Sequence, residues 1–245
     1  MLALGFMAAL WLAKHLGRQD GLSADAMVDL SLTVLIAGIL GSKLLMVVVD
    51  MVNGAPLSQV FSLGTLRAGG AVHGGVLAGG AAFLWRARKL RVHMGRAFDA
   101  AANAVPLGQA IGRLGCLAAG CCYGAACNMP WAITFHNHEA SIPSDKIGDP
   151  LHPSQVYFAL SNLAIMAALL FFRRFRKFPG QVGSLYFILE GCCRLVLETW
   201  RGDADRGFWF NIQWLSTGRA TALVFILIGA ALWAWSARAA KRAGS

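Results

Sequence analysis

Charged residues are scarce in this sequence of 245 residues. They make up 14% of the chain, while hydrophobic residues make up 57%; soluble domains average about 25% charged residues. This deficit excludes an ordinary soluble domain and predicts an integral membrane protein. The net charge of +10 does not indicate nucleic acid binding, because the basic residues form short clusters that each follow an apolar run. Membrane proteins distribute their charge in this way.

The beginning of the sequence lacks the marks of a cleaved signal peptide. Residues 1–13 are apolar, with no basic region before them and no small-residue cleavage site after them. We therefore expect this stretch to be a retained helix.

Seven apolar stretches predict an all-α integral membrane protein with about seven transmembrane helices. The fourth stretch is the most polar and carries Asp99, Asn103, Pro106 and Gln109. If it spans the membrane, it must lie inside a bundle, where neighbouring helices satisfy its polar groups. The stretches cover residues 1–13, 28–52, 68–85, 97–112, 155–172, 182–200 and 219–237.

Lysine and arginine residues alternate from loop to loop, which predicts the orientation. One set of loops holds more than twice as many of them as the other, so the positive-inside rule places the N-terminus outside and the C-terminus in the cytoplasm. We expect residues 1–245 to form one membrane-embedded domain with an external loop at residues 113–153. The basic loops contain Lys14, Arg18, Arg86, Arg88, Lys89, Arg91, Arg96, Arg173, Arg174, Arg176, Lys177, Arg238, Lys241 and Arg242; the others contain Arg67, Arg113, Lys146, Arg201, Arg206 and Arg219.

On this topology, six polar residues gather near the outer face of the membrane. Arginine binds phosphate through paired, charge-assisted hydrogen bonds, so the cluster predicts a site for a phospholipid headgroup. Arg194 and Glu198 are one helical turn apart and are expected to form an ion pair. The alternative is that this pair only joins two helices while Arg113 extends to the interface. The six residues are His73, Arg113, His152, Arg194, Glu198 and Arg201.

The roles of His73 and of the clustered cysteines can each be interpreted in more than one way. His73 lies between paired glycines in GGAVHGG and is either a structural residue or a base. The cysteines of GRLGCLAAGCCYGAAC are either small buried side chains or disulfide partners, with Cys121 or Cys122 bound to Cys127. No C-x-x-C pair with a matching second pair is present, so metal binding is the least favoured interpretation of the cysteines. We expect neither a metal nor a cofactor.

The motifs, taken in order, resemble those of the bacterial prolipoprotein diacylglyceryl transferase family. The family's H-G-G is similar to His73, Gly74 and Gly75, and its G-R-x-G-N-F-x-N-G-E to the segment from Gly112 and Arg113 through Gly115 and Cys116 to Cys121. Its H-P-x-Q-L-Y-E resembles the segment from His152 through Gln155 and Tyr157 to Phe158. Its Y-G-x-x-R-F-x-x-E-x-x-R is matched at Gly191, Arg194, Glu198 and Arg201, and its L-S-x-G at residues 215–218. The likeness covers nearly the whole chain.

The resemblance implies transfer of the diacylglyceryl group of phosphatidylglycerol to the thiol of a lipobox cysteine in a lipoprotein precursor. It also implies a multi-pass protein of the bacterial inner membrane, surrounded by membrane lipids, with its active site facing the periplasm. Arg113 and Arg194 would hold the lipid phosphate, Glu198 would orient Arg194, and His73 would be the base near the incoming thiol. The residues that would line the substrate site are Gly74, Gly75, Gly112, Gly115, Cys116, Cys121, His152, Gln155, Tyr157 and Arg201.

Several positions depart from the family pattern. Cys116 and Cys121 replace an Asn and a Glu of the signature, Phe158 replaces a Glu, and Glu190 stands where the family has Tyr. These changes leave the anion site intact but alter the part that would meet the protein substrate. Two alternatives therefore remain: the same lipid donor with a different acceptor, and a non-catalytic lipid-binding or redox-responsive membrane protein.

Overall fold

The computed structural model describes residues 1–52, 54, 71–137, 140–202 and 215–243. This part of the chain contains seven α-helices, two short 3-10 turns and only isolated β-bridges. The helices are α1 (Leu2–Gln19), α2 (Ala24–Val52), α3 (Val72–Lys89), α4 (Met94–Ala119), α5 (Ser154–Arg173), α6 (Gln181–Leu197) and α7 (Thr217–Ala243). The prediction of an all-α fold is confirmed for these residues, and each helix overlaps one of the apolar stretches.

Three of the helices, α2, α5 and α7, are long and apolar enough to cross a membrane. They expose large hydrophobic side chains such as Leu40, Leu160 and Leu227, each with 60% or more of its surface accessible. Contiguous apolar surfaces of this kind are rare on soluble proteins and suit contact with lipid tails. The chain is therefore an all-α membrane protein. Among the basic residues used to predict its orientation, Arg67 and Arg206 lie outside the described residues.

The chain divides into two compact units, of which the smaller is Lys14–Ala97. Within it, α2 and α3 approach each other at glycines. A Cβ atom added to Gly74 would collide with the Gly41 carbonyl oxygen and lie 2.6 Å from Cβ of Leu45. Close contact between backbones through small residues is a common way for membrane helices to associate. The glycines of the H-G-G motif thus have a helix-packing role.

An ion pair joins the same two helices nearer their other ends. The Arg86 guanidinium donates from Nε to Oδ1 of Asp29 over 2.7 Å, and its NH2 group meets the second carboxylate oxygen. Two parallel bonds of this type fix the geometry as well as the charge. They set the register in which α2 and α3 pack.

The larger unit comprises Met1–Ala13 and Phe98–Ser245. One of its hydrophobic cores is built from α4, α5 and α6 around buried residues that include Ala102, Leu169 and Val182. A close crossing joins α1 to α4, where a Cβ atom on Gly5 would lie 2.8 Å from the carbonyl oxygen of Gly108. These packed helices hold the polar groups described below.

The buried carboxylate of Asp99 caps the N-terminus of α6. It accepts hydrogen bonds from the backbone N–H groups of Gly180 and Gly183, each over 2.9 Å, and lies 3.6 Å from NH1 of Arg176. A carboxylate at a helix N-terminus satisfies donors that have no partner within the helix and interacts favourably with the helix dipole. The prediction that neighbouring helices satisfy the polar groups of the fourth stretch is confirmed for Asp99.

The segment between α4 and α5 is shorter than predicted. The expected external loop at residues 113–153 begins only after α4 ends at Ala119, because the helix continues beyond the apolar stretch that was used to define it. The segment is ordered around a small core of Tyr123, Ile142 and Leu151. Isolated β-bridges join Leu151 to Ala126 and Ile133.

Candidate functional site

Polar side chains on α4 and α6 form a track inside the larger unit. Gln109 and Arg113 are one turn apart on α4, and Tyr186, Glu190 and Arg194 follow one another at the same spacing on α6. Residues four apart share a helix face. The Tyr186 hydroxyl donates to Oε1 of Gln109 over 3.4 Å, which joins the two rows.

Three guanidinium groups converge at one end of this track. Arg194 is within electrostatic range of Arg113 and Arg201, and also of the carboxylates of Glu190 and Glu198. Within the described part of the chain, Nε of Arg194 is buried and has no hydrogen-bond partner. An arginine inside a membrane bundle is a functional candidate, and a buried donor without an acceptor is suited to an anionic ligand.

The Arg113 guanidinium lies over an aromatic ring. Its Cζ atom is 4.6 Å from the centroid of Phe158 on α5, and that phenylalanine is 3% exposed. A cation over a ring face is attracted by the ring's negative charge density. Phe158 therefore positions Arg113 without neutralising its charge.

The Glu198 carboxylate pairs with Arg201 and not with Arg194, so the predicted salt bridge is wrong. Its Oε2 atom is 3.9 Å from NH1 of Arg201, and its Oε1 atom accepts a hydrogen bond from the Ser216 hydroxyl over 3.0 Å. The reason is local: α6 ends at Leu197, and residues 198–200 form a 3-10 turn. A 3-10 turn aligns residues three apart, not four.

Ser216 and Gly218 complete the surroundings of Glu198. Ser216 accepts a hydrogen bond from the Arg219 N–H over 3.2 Å, which makes it the N-cap of α7. A Cβ atom on Gly218 would collide with the carboxylate of Glu198. The L-S-x-G motif thus forms the N-terminus of α7, against which the Glu198 carboxylate packs.

His152 and Tyr157, both predicted to line the substrate site, are neighbours in the structure. Nδ1 of His152 is 3.1 Å from the Tyr157 hydroxyl, which also accepts a hydrogen bond from Nε1 of Trp131 over 2.7 Å. The rings of Tyr157 and Trp200, which lies just beyond α6, form a T-shaped pair with their centroids 6.2 Å apart. The Tyr157 hydroxyl therefore links the segment between α4 and α5 to the start of α5.

The end of α4 is reversed by a Schellman motif, which brings Cys121 back over Cys116. Gly120 has φ +70°, and its N–H bonds to the Leu117 carbonyl, while the Cys121 N–H bonds to the Cys116 carbonyl over 3.1 Å. This pattern requires a left-handed residue after the helix, and glycine adopts that conformation at little cost. Side chains at the two ends of the motif commonly touch.

The next residue, Cys122, also has a left-handed backbone, with φ +59°. The sulfur atoms of Cys116, Cys121 and Cys122, here called the thiol cluster, all lie within 4.8 Å of one another. All six cysteines are free thiols, so neither disulfide suggested for Cys127 is present in the described structure. A left-handed non-glycine residue is uncommon and often marks a functional position.

The start of α5 holds the backbone of the thiol cluster. Nε2 of Gln155 donates to the Cys121 carbonyl over 2.8 Å, and the Ser154 hydroxyl donates to the Cys122 carbonyl. Both side chains are almost completely buried, so these bonds are shielded from water. Gln155, which was predicted to line the substrate site, thus holds the backbone of the loop at Cys121.

The three thiols experience different surroundings. The pKa of Cys122 is lowered to about 5, because the Cys116 thiol donates a hydrogen bond to its sulfur and because Arg113 and Arg201 favour the thiolate, although burial opposes this. The pKa of Cys121 is raised by burial and by the charge on Cys122. Positive charge beside a thiol is the usual cause of a reactive cysteine.

The other predicted site residues are three in the smaller unit and two glycines on α4. His73 is an exposed residue at the start of α3, in the smaller unit, together with Gly74 and Gly75. A Cβ atom on Gly115 would lie 2.9 Å from Cβ of Met1, whereas one on Gly112 would meet nothing within 4 Å.

Sequence reasoning missed two residues at the centre of the site. Glu190 is 5% exposed and acts electrostatically on Arg194, one turn along α6. Glu190 lies four residues before Arg194, and this spacing indicates that the two side chains share a helix face. Gln109 is one turn before Arg113 and bonds to Tyr186, a contact that no sequence spacing indicates.

Comparison with known proteins decides the family. The family model described as prolipoprotein diacylglyceryl transferase matches residues 1–235. The chain belongs to this family. It is 32% identical over 229 residues to the phosphatidylglycerol–prolipoprotein diacylglyceryl transferase of Clostridium tetani, covering 94% of this chain and 88% of that protein. The transferase of the same name from Azotobacter vinelandii is 32% identical over 247 residues, covering 99% of this chain and 90% of that protein.

Membership in the transferase family was predicted from the order of the motifs and is confirmed. The chain also resembles phosphatidylglycerol–prolipoprotein diacylglyceryl transferase 2 of Clostridium perfringens, with 29% identity over 239 residues. Three arginines of the family motifs lie near one another in the structure, because Arg194 is within electrostatic range of both Arg113 and Arg201.

Proposed function

We propose that the chain transfers the diacylglyceryl group of phosphatidylglycerol to the thiol of a lipobox cysteine in a lipoprotein precursor. The observation that carries the proposal is the convergence of Arg113, Arg194 and Arg201 in a membrane bundle. The names of the relatives, which give phosphatidylglycerol and prolipoprotein as substrates, support it. Residues 1–245 would act as one transferase domain.

Arg113 and Arg194 would bind the lipid phosphate, and their charge would stabilise the glycerol phosphate as it leaves. Electrostatic stabilisation by fixed charges away from water is usually the largest catalytic contribution. Glu190 would balance Arg194 within the bundle, and Glu198 would position Arg201, to which it is paired. His73 would be the base that removes the proton from the acceptor thiol, which reacts as its thiolate.

The proposed orientation places the N-terminus outside and the C-terminus in the cytoplasm of the bacterial inner membrane, with the site facing the periplasm. The alternating basic loops support this orientation. Phosphatidylglycerol would reach the site from the surrounding membrane lipids, and the precursor would approach from the external segment.

The test is lipid transfer by the purified protein in phosphatidylglycerol vesicles with a fluorescent lipobox peptide. We expect Arg113→Ala and Arg194→Ala each to lower kcat/KM by about 100- to 1,000-fold, the usual effect of removing one group that stabilises a developing anion. Arg174→Ala, at the exposed end of α5, is the matched control and should retain activity. Wild-type rates in both site variants would rule out the phosphate-binding role.

A different acceptor is the second candidate, and the thiol cluster favours it. Cys116 and Cys121 occupy positions where the family signature has Asn and Glu, and Cys116 is within electrostatic range of Arg113. The same assay separates the two functions if lipid consumption and peptide modification are both measured. Consumption of phosphatidylglycerol with an unmodified peptide would support the different acceptor.

A further inference from the structure

The thiol cluster is an unusual environment for cysteines that only fill space. Cys116, Cys121 and Cys122 are each half-buried, and the Cys122 sulfur is within electrostatic range of Arg113 and Arg201. Cysteines that behave as small hydrophobic residues pack among apolar side chains. Three sulfur atoms beside two guanidinium groups form instead a polar centre, which becomes anionic when a thiol ionises.

The spacing of the sulfur atoms matches what a thiophilic metal requires. In a tetrahedral zinc site with Zn–S bonds of about 2.3 Å, the sulfur atoms are about 3.8 Å apart. All three sulfur pairs of the cluster are within 4.8 Å, so small side-chain rotations suffice. A disulfide would use two of the thiols and leave the third, whereas a metal uses all three.

The backbone that carries the sulfurs is already fixed. The Schellman motif sets Cys121 against Cys116, and Gln155 and Ser154 hold the carbonyls of Cys121 and Cys122. A metal site of this kind needs a fixed ligand backbone and supporting hydrogen bonds around it. The arrangement arises from a helix end and a loop, which explains why it has no sequence spacing typical of zinc motifs.

We propose that Cys116, Cys121 and Cys122 bind one Zn²⁺ ion through three thiolates, with the fourth coordination position open. Three thiolates and one Zn²⁺ carry a net charge of −1, and Arg113 and Arg201 compensate it. Three protein ligands with one open position are typical of catalytic zinc sites, whereas structural sites have four. The proposal concerns metal binding and does not depend on the transfer reaction.

The test uses the full chain in detergent, reduced and washed with a chelator, with Co²⁺ as the optical probe. We expect one Co²⁺ per chain, a thiolate-to-metal charge-transfer band, and displacement by Zn²⁺. Cys116→Ser, Cys121→Ser and Cys122→Ser should each weaken Co²⁺ binding by about 100-fold or more, because each removes a direct ligand. Cys127→Ser and Cys192→Ser, outside the thiol cluster, should bind as the wild type does.

The wild-type titration decides the proposal even if a variant fails to fold. Absence of the charge-transfer band would overturn it, as would equal affinity in the three cluster variants and the two controls. Formation of a disulfide within the cluster in the presence of excess Zn²⁺, detected by mass spectrometry, would also overturn it. Melting temperatures without metal would show that the cluster variants are folded.

Discussion

Replacement of Asp99 by Asn tests whether this carboxylate stabilises the N-terminus of α6, the helix that carries Arg194. The carboxylate accepts N–H bonds from Gly180 and Gly183 and lies beside Arg176. Asn has one side-chain oxygen, so one of the two N–H groups loses its acceptor and the other bond loses its charge assistance. Hydrogen bonds to charged groups contribute about 1.5–3 kcal/mol each, and neutral ones about half as much. We therefore expect a loss of about 2–4 kcal/mol in the free energy of unfolding.

The loss should appear as a melting temperature about 5–10 °C lower for the purified protein in detergent. Transfer activity should fall as well, because α6 carries Glu190 and Arg194. The control is Asp145→Asn, whose carboxylate is 73% exposed in the segment between α4 and α5. Equal melting temperatures for the two variants would refute the capping role of Asp99.

Three further predictions concern the site. Phe158→Leu removes the ring beneath Arg113; the loss of about 0.5–1 kcal/mol should raise the KM for phosphatidylglycerol about two- to fivefold in vesicle assays. Gly218→Ala places a methyl group against the Glu198 carboxylate and should destabilise the protein by about 1–3 kcal/mol, measured by thermal unfolding. In metal-free protein at about pH 6.5, Cys122 should be alkylated before the preceding cysteine, since its lowered pKa makes it a thiolate above about pH 5.

Each of these predictions has a matched comparison. Phe171→Leu changes an exposed ring on the same helix and should leave the KM unchanged. Gly80→Ala adds a methyl group where nothing lies within 4 Å and should not destabilise the protein. Peptide mapping after alkylation identifies the modified thiol, and equal labelling of both adjacent cysteines would contradict the assigned pKa difference.

The helices and the family could be predicted because both depend on local patterns. Apolar runs located the seven helices of the described residues, and the buried setting of Asp99 followed from the cost of an unsatisfied polar group in a membrane. The partner of Glu198 could not be predicted by helical spacing, because that spacing does not continue past Leu197. The thiol cluster depends on the left-handed conformations of Gly120 and Cys122. Such conformations are set by the hydrogen bonds around them and have no periodic signal.

The segment between α4 and α5 is bonded to the residues that follow α6. The Ala125 N–H bonds to the Trp200 carbonyl over 2.8 Å, and a β-bridge joins Gly124 to Arg201. A Cβ atom on Gly124 would lie 2.5 Å from Cβ of His152 and 2.7 Å from the Trp200 oxygen. A chimera that exchanges this segment between related enzymes would therefore need to exchange the turn at residues 198–202 with it. Two parts of the sequence more than 70 residues apart thus form one structural unit.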